Sequence, residues 1–260
     1  MNADEVLERS QWDVFWVPED VRVTDRPEVL YTACDRPLDM LNMVTRVRAA
    51  PGDIPAIVAE VAAAHEGRPS RWQLSPGNRS DALERALLAA GYASGDEHYG
   101  YTIDVAGYRP ASPRRITHRP VVDLQGLRDA INVAERAFGS PLNFSDEDMA
   151  SFLEDCTKPN ARVHRTVAYD GATGAPISSG GLTAFPDLGF GFLWAGCTVS
   201  EARGRGAYAA VLAGRIAHAR SLGLDRVGLY AKVDTSAPIV ERNGFTRSGP
   251  MVFWTRKSAS

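Results

Sequence analysis

Thr198 to Tyr208 reads T-V-S-E-A-R-G-R-G-A-Y, and this stretch decides how the rest of the chain is read. An apolar run ends at Val199, a turn rich in glycine and arginine follows, and a helix is expected from about Arg205 to Ser221. Gly204 and Gly206 let the backbone approach a bulky ligand in conformations that a side chain forbids. The helix behind them offers unpaired N–H groups and the positive end of its dipole, while Arg203 and Arg205 add charge. Such a turn suits a pyrophosphate. A plain tight connection between strand and helix is the alternative, and a G-x-G pair alone does not choose between them.

Composition narrows the field. The chain has 260 residues, 44% hydrophobic and 23% charged, enough to bury one large core or two ordinary ones. No apolar run reaches the ~18 residues of a membrane span. The first ten residues, M-N-A-D-E-V-L-E-R-S, lack the basic and apolar regions of a signal peptide, so a cytoplasmic protein without membrane partners is expected. Cys34, Cys156 and Cys197 are odd in number and widely spaced, which speaks against a disulfide framework or a zinc site. His65, His98, His118, His164 and His218 form no H-x-x-x-H pair, and no metal is expected. A net charge of -3 gives no electrostatic reason for nucleic-acid binding. The residues up to Asp104 carry an acidic excess and the remainder a basic one, so the Gly/Arg turn lies in the half suited to an anion.

A Pro- and Arg-rich passage, Gly107 to Arg115, reads as a linker. It suggests a domain over 1–106, a linker over 107–113 and a second domain over 114–260. In the second, Arg115 to Val122 reads as an edge strand, and Leu124, Leu127, Ile131, Ala134 and Phe138 form a helical stripe that Gly139 ends. Ser145 is expected to cap another helix with Met149, Phe152, Leu153 and Cys156 on its apolar face. Strands follow at Val163–Tyr169, Pro176–Phe185 and Gly189–Val199. After the helix from Arg205 come a strand Arg226–Ala231, a helix Ala237–Arg242 and a strand Met251–Arg256. A doubly wound nucleotide-binding domain is an alternative, against which the three consecutive strands before the turn speak, since that fold alternates strand and helix.

This order, with the Gly/Arg turn between the fourth strand and its helix, resembles the GNAT superfamily of N-acetyltransferases over about residues 114 to 256. The family signature is (Gln/Arg)-x-x-Gly-x-(Gly/Ala); Arg203 and Gly206 match it, while Tyr208 stands where a small residue is usual. The passage into R-N-G-F, Arg242 to Phe245, is similar to the family's late helix and its Gly-Phe ending.

The first part repeats the pattern: strand Met43–Arg48, helix Pro55–Ala64, strand Trp72–Leu74, helix Ala82–Ala90, then Gly91-Tyr92 and a strand Tyr99–Asp104. Gly91-Tyr92 answers Gly244-Phe245, so the chain resembles a tandem of two GNAT-like units. The expected fold class is mixed α/β (α+β), a mostly antiparallel sheet flanked by helices. The stretch answering R-G-R-G-A-Y is A-P-G-D-I-P, Ala50 to Pro55, where Asp53 repels phosphate and two prolines remove N–H donors. The first unit is therefore expected to be degenerate, with a structural or substrate-facing duty.

The resemblance implies an acetyl-CoA-dependent N-acetyltransferase that moves the acetyl group directly to a primary amine of a small molecule or peptide. It assigns Arg203, Gly204, Arg205, Gly206, Ala207 and Tyr208 to the pyrophosphate, and Cys197, Thr198 and Val199 to pantetheine. Val199 takes the thioester carbonyl through its backbone N–H, and Ser236 or its neighbour Thr235 touches the cofactor from the late helix. Many members carry a carboxylate base on the fourth strand and a tyrosine acid four residues before the late glycine. Here that strand reads G-F-G-F-L-W-A-G-C-T-V and the tyrosine position is Val240. Tyr230 and Tyr208 are the candidate replacement acids, beside transfer with no dedicated acid or base. Cys197 as an acyl-carrying nucleophile lacks an evident histidine partner. A non-catalytic acyl-CoA-binding module and a transferase of another acyl group remain alternatives. Trp16, Trp72 and Trp194 could line an acceptor cleft or be core, and the oligomeric state is left open, a homodimer included.

Overall fold

A computed structural model describes residues 1–110 and 115–258; the centre of the expected linker lies outside them. Contacts divide the described residues into two compact units, one of 1–101, 230–242 and 246–258, the other of 102–110, 115–229 and 243–245. Residues 230–242 and 246–256, read from sequence as part of the second domain, thus pack with the first unit.

In the first unit, α1 (Ala3–Arg9) precedes β1 (Arg22–Arg26), β2 (Val29–Ala33), β3 (Met43–Val47), α2 (Ile54–Ala64), β4 (Ser70–Leu74), α3 (Asp81–Ala89) and β5 (Ala93–Asp104), whose last three residues belong to the second unit. The final strand of the chain, β11 (Thr246–Arg256), lies antiparallel to β4 with Trp254 opposite Trp72. This pairing is why the C-terminal segment belongs here. β3 and β4 are parallel, joined through Met43–Arg71 and Val44–Trp72, as a strand-helix-strand crossover requires. Ile57, Val58 and Val61 of α2 and Leu83 and Leu87 of α3 close over Trp72, Leu74, Tyr92 and Trp254. Ser80 caps α3 by accepting the Leu83 N–H.

The second unit runs β6 (Ile116–Pro120), α4 (Leu124–Phe138), α5 (Asp146–Thr157), β7 (Val163–Asp170), β8 (Pro176–Phe185), β9 (Phe190–Thr198), α6 (Ala207–Ser221) and β10 (Arg226–Lys232). β10 passes into the first unit at Tyr230, and α7 (Ala237–Arg242) follows there. The strand order is β10-β9-β8-β7-β6. Asp123 caps α4, Gly139 ends it in the left-handed conformation at φ 74, and Ser145 and Asp148 form a reciprocal capping box on α5. The α4 stripe is turned from its expected face: Leu127, Ala130 and Val133 are buried, whereas Leu124 and Phe138 are exposed. Among the described pairings only β3/β4 and β9/β10 are parallel. The fold is mixed α+β, with a mostly antiparallel sheet and seven α-helices among the described residues.

Candidate functional site

The site is built on β9. Its ladder with β8 places Ser179 opposite Cys197 but Gly181 opposite Trp194, so Ala195 and Gly196 together face Gly180. That is a β-bulge, and Ala195 takes a left-handed φ of 47 within it. Ala195 and Gly196 are exposed. On its other edge β9 pairs with β10 only from Phe190 to Phe192. The parallel ladder then stops.

Residue parity decides which N–H groups face that edge. Val199 donates its N–H to the Ile177 carbonyl at 3.1 Å, and its side chain is fully buried. It is not free to polarise a thioester, contrary to the sequence expectation. The neighbouring residue in an antiparallel ladder points its polar groups the opposite way, which turns the Thr198 N–H away from β8. The Thr198 carbonyl accepts from Arg203 Nε at 3.4 Å, and its hydroxyl shares a hydrogen bond with Ser178 at 2.9 Å.

A short 3-10 turn, Ser200–Ala202, leads to the glycines. Gly204 and Gly206 both adopt positive φ, 74 and 86, so a side chain at either would be strained. Gly206 is the N-cap of α6 and, having no side chain, caps nothing. No hydrogen bond within the described residues takes the N–H of Gly204, Arg205, Gly206, Ala207 or Tyr208. Five consecutive donors at the start of a 15-residue helix form an anion-binding arrangement.

The two arginines differ. Arg203 is exposed, and its side chain donates through Nε to the Thr198 carbonyl. Arg205 forms an ion pair with Asp170, which also accepts the N–H groups of Ala172 and Thr173. These partners, Arg205 first, hold the Asp170 carboxyl below its ordinary range. Arg205 therefore anchors the turn to the end of β7.

Tyr208 stands over Gly196: a Cβ there would lie 2.8 Å from Tyr208 Cε2. The departure from a small residue is thus matched by a missing side chain on β9. Cys197 is buried, its Sγ 3.5 Å from Ser179 Oγ. Burial pushes its thiol up, the reverse of what a nucleophilic thiol needs.

Contacts assign Tyr230, Thr235, Ser236 and Val240 to the first unit. Burial, with the charges of Glu8 and Asp4, pushes the Tyr230 phenol strongly up while a hydrogen bond with Gln73 opposes it, a balance poorly suited to donating a proton. Ser236 Oγ accepts the Lys232 N–H at 2.9 Å and its carbonyl accepts from Ile239 and Val240, so it serves the start of α7. Thr235 donates its N–H to Lys232 O at 3.3 Å. Val240, at the usual acid position, is fully buried. Trp72 is core, Trp16 is exposed, and Trp194 lies over Gly181 with Nε1 on Thr183 Oγ1 at 3.0 Å.

Sequence reasoning missed the bulge, Asp170 and Arg215. Arg215 is 1% exposed. Its signal was available: an arginine on the same helical face as Leu212, Ile216 and Ala219.

No protein-family model and no curated protein matches the sequence. Solved structures do. A GCN5-related N-acetyltransferase from Kribbella flavida superposes with a TM-score of 0.73 at 17% identity, covering 99% of this chain and 96% of its own. A GCN5-related N-acetyltransferase from Sphaerobacter thermophilus gives 0.66 at 18% identity over 98% and 85% of the two chains. A tandem GNAT protein from the clavulanic acid biosynthesis pathway gives 0.62 at 15% over 94% and 85%. At these identities the likeness is one of fold, and the fold of this chain is that of the GNAT N-acetyltransferases.

Proposed function

We propose that the chain is an acetyl-CoA-dependent N-acyltransferase that delivers the acyl group directly to a primary amine of a small molecule or peptide. The observation that carries the reading is the run of unspent N–H groups from Gly204 to Tyr208 at the head of α6, directly after a bulged strand whose ladder with β10 stops at Phe192. Those five donors and the exposed Arg203 fit a pyrophosphate. The Thr198 N–H, in place of that of Val199, fits the pantetheine or thioester carbonyl, where a fixed donor stabilises charge developing on oxygen. Bound acetyl-CoA would supply an activated acyl carbonyl; the chain supplies its placement.

No carboxylate base stands on β9, and Tyr230 is ill placed in energy to act as acid. The amine therefore arrives neutral from solution and water takes the proton. The rate should rise with pH along the amine's own titration, unchanged by Tyr230→Phe; a steep extra ionisation that this substitution abolishes would refute the water route. Free-thiol release across an amine panel tests transfer itself. No thiol release with any amine despite CoA binding would favour the non-catalytic binding module, to which the buried Val240 at the usual acid position gives some support.

The first unit, on this reading, holds no cofactor. In the turn after β3, Pro51 and Pro55 have no N–H and that of Asp53 is taken by Ala50 O at 2.9 Å.

A further inference from the structure

Successive residues of β7 point to opposite faces of the sheet: Thr166 lies against Gly214 of α6, and Arg165 meets Phe152 of α5. On the α6 face the arginine nearest the bulge, Arg215, is closed off. It is 1% exposed, and its Nη1 donates to Gly181 O at 3.2 Å and Trp194 O at 3.5 Å where the β8–β9 register slips. Arg165, on the other face, is open. It is half-buried; its Nε is enclosed without a partner, whereas Nη1 and Nη2 keep contact with solvent. It forms no ion pair among the described residues. Burial pulls its guanidinium below the ordinary range, against the Cys156 thiol and Asp155, and Asp155 is itself held by Lys158 at 2.6 Å.

Aromatic rings take the place of an acid. The guanidinium carbon lies 4.7 Å from the Trp194 ring and 5.6 Å from that of Phe152. Arg165, Gly181 and Trp194 form one row across β7, β8 and β9. A Cβ on Gly181 would collide with the indole, so the missing side chain lets Trp194 lie across β8 and reach the arginine. Thr183 Oγ1 fixes the indole by accepting Nε1–H at 3.0 Å. The cover on this face is light: α5 buries none of its residues, and Phe144 before it is exposed, meeting Phe152 edge-on with centroids 4.9 Å apart. The rings hold the guanidinium in place and leave its outer end to solvent, where the fork of Nη1 and Nη2 matches the two oxygens of a carboxylate. That row ends beside the bulge. Thr198, whose N–H fits the thioester carbonyl, is four residues beyond Trp194, on the order of 10 Å along β9 once the bulge is allowed for.

We infer that Arg165 is a specificity-determining residue that receives, through Nη1 and Nη2, a carboxylate of the acceptor held several bonds from its amine. The inference rests on the transferase reading for where that amine lies. Thiol release from acetyl-CoA is compared for 6-aminohexanoate and 6-aminohexanamide, which differ in the charge at the far end. The specificity constant should favour the carboxylate by about tenfold or more, chiefly through KM, and Arg165→Gln should bring the ratio near unity. Arg165→Lys, which keeps the charge without the fork, should retain only part of it. Trp194→Leu removes the aromatic support with the guanidinium intact; it should lower the same ratio and decides the matter where Arg165→Gln does not fold.

A second arm needs neither CoA nor turnover: 6-aminohexanoate should raise the melting temperature of the wild type more than the amide does, and the difference should vanish in Arg165→Gln. If the wild type binds no CoA yet shows this difference, the transferase reading fails and the carboxylate site stands. A preference for the carboxylate that survives Arg165→Gln, or no difference between wild type and variants in either arm, overturns the inference and leaves Arg165 as a staple between α5 and β7.

Discussion

Two passages of this chain run strand, turn, helix in the same order: β3 to α2 in the first unit and β9 to α6 in the second. Both strands are parallel to the next one, and both helices bury an apolar face against their own sheet. The turns diverge. After β9 two glycines hold left-handed conformations and five donors are unspent. After β3 the glycine, Gly52, is not left-handed, two residues are proline, and Asp53 puts a negative charge at the head of α2 without capping it. The strand and helix serve the fold in both units; only the turn carries the case for binding, so the two properties can be changed independently.

The strongest way to break this contrast is Gly206→Glu. Strain at φ 86 should cost the fold only about 1–2 kcal/mol, while coenzyme A affinity should fall about 100-fold or more, since a carboxylate then faces the phosphates. Unchanged binding by calorimetry would remove the second turn from consideration. Next in size is a pH effect in each unit. Burial lowers His65 from 6.5 to about 4 in the first unit and, with repulsion from His218, lowers His164 from 6.5 to about 4 in the second. Between these values the unfolded chain binds more protons than the folded one, so stability is full above pH 6.5 and is lost as pH falls toward 4. His65, fully buried, should account for up to about 3 kcal/mol. His65→Leu and His164→Leu should each flatten the melting-temperature profile over that window, His164 less because it is partly exposed.

Smaller still are the helix caps. Ser80→Ala in the first unit and Ser145→Ala in the second should each cost about 1 kcal/mol in denaturant unfolding. The smallest effect sharpens the contrast most: Asp53→Asn should leave coenzyme A affinity unchanged, because the lost charge does not restore the donors that Pro51 and Pro55 lack. A rise in bound stoichiometry would show the first turn to be suppressed by charge alone.

Much of this was legible from residues. The elements from Met43 onward carried periodic apolar patterns or strong caps, and Pro176–Phe185 and Ala237–Arg242 coincide with their structural bounds. The first 33 residues did not: α1 is two turns long, β1 is largely exposed, and β2 is buried on both faces, so none shows an alternation to read. The start of β11 was placed late because Thr246–Pro250 has few apolar residues. In the site, glycines announced the turn, but Ala195-Gly196 reads like more strand. The bulge therefore stayed hidden, and with it the parity that commits the Val199 N–H to Ile177. The ion pair of Arg205 with Asp170 spans residues distant in sequence, which no local pattern encodes.

The place of β11 has a consequence for synthesis. Trp254 meets Trp72 in the core of the first unit, yet it is made more than 180 residues later. The N-terminal half cannot complete its own core as it leaves the ribosome; it must hold an open edge on β4 until nearly the whole chain has emerged. Contacts this distant slow folding and expose an unpaired strand meanwhile. A nonsense codon before Thr246 would thus damage a core whose other strands were synthesised long before it.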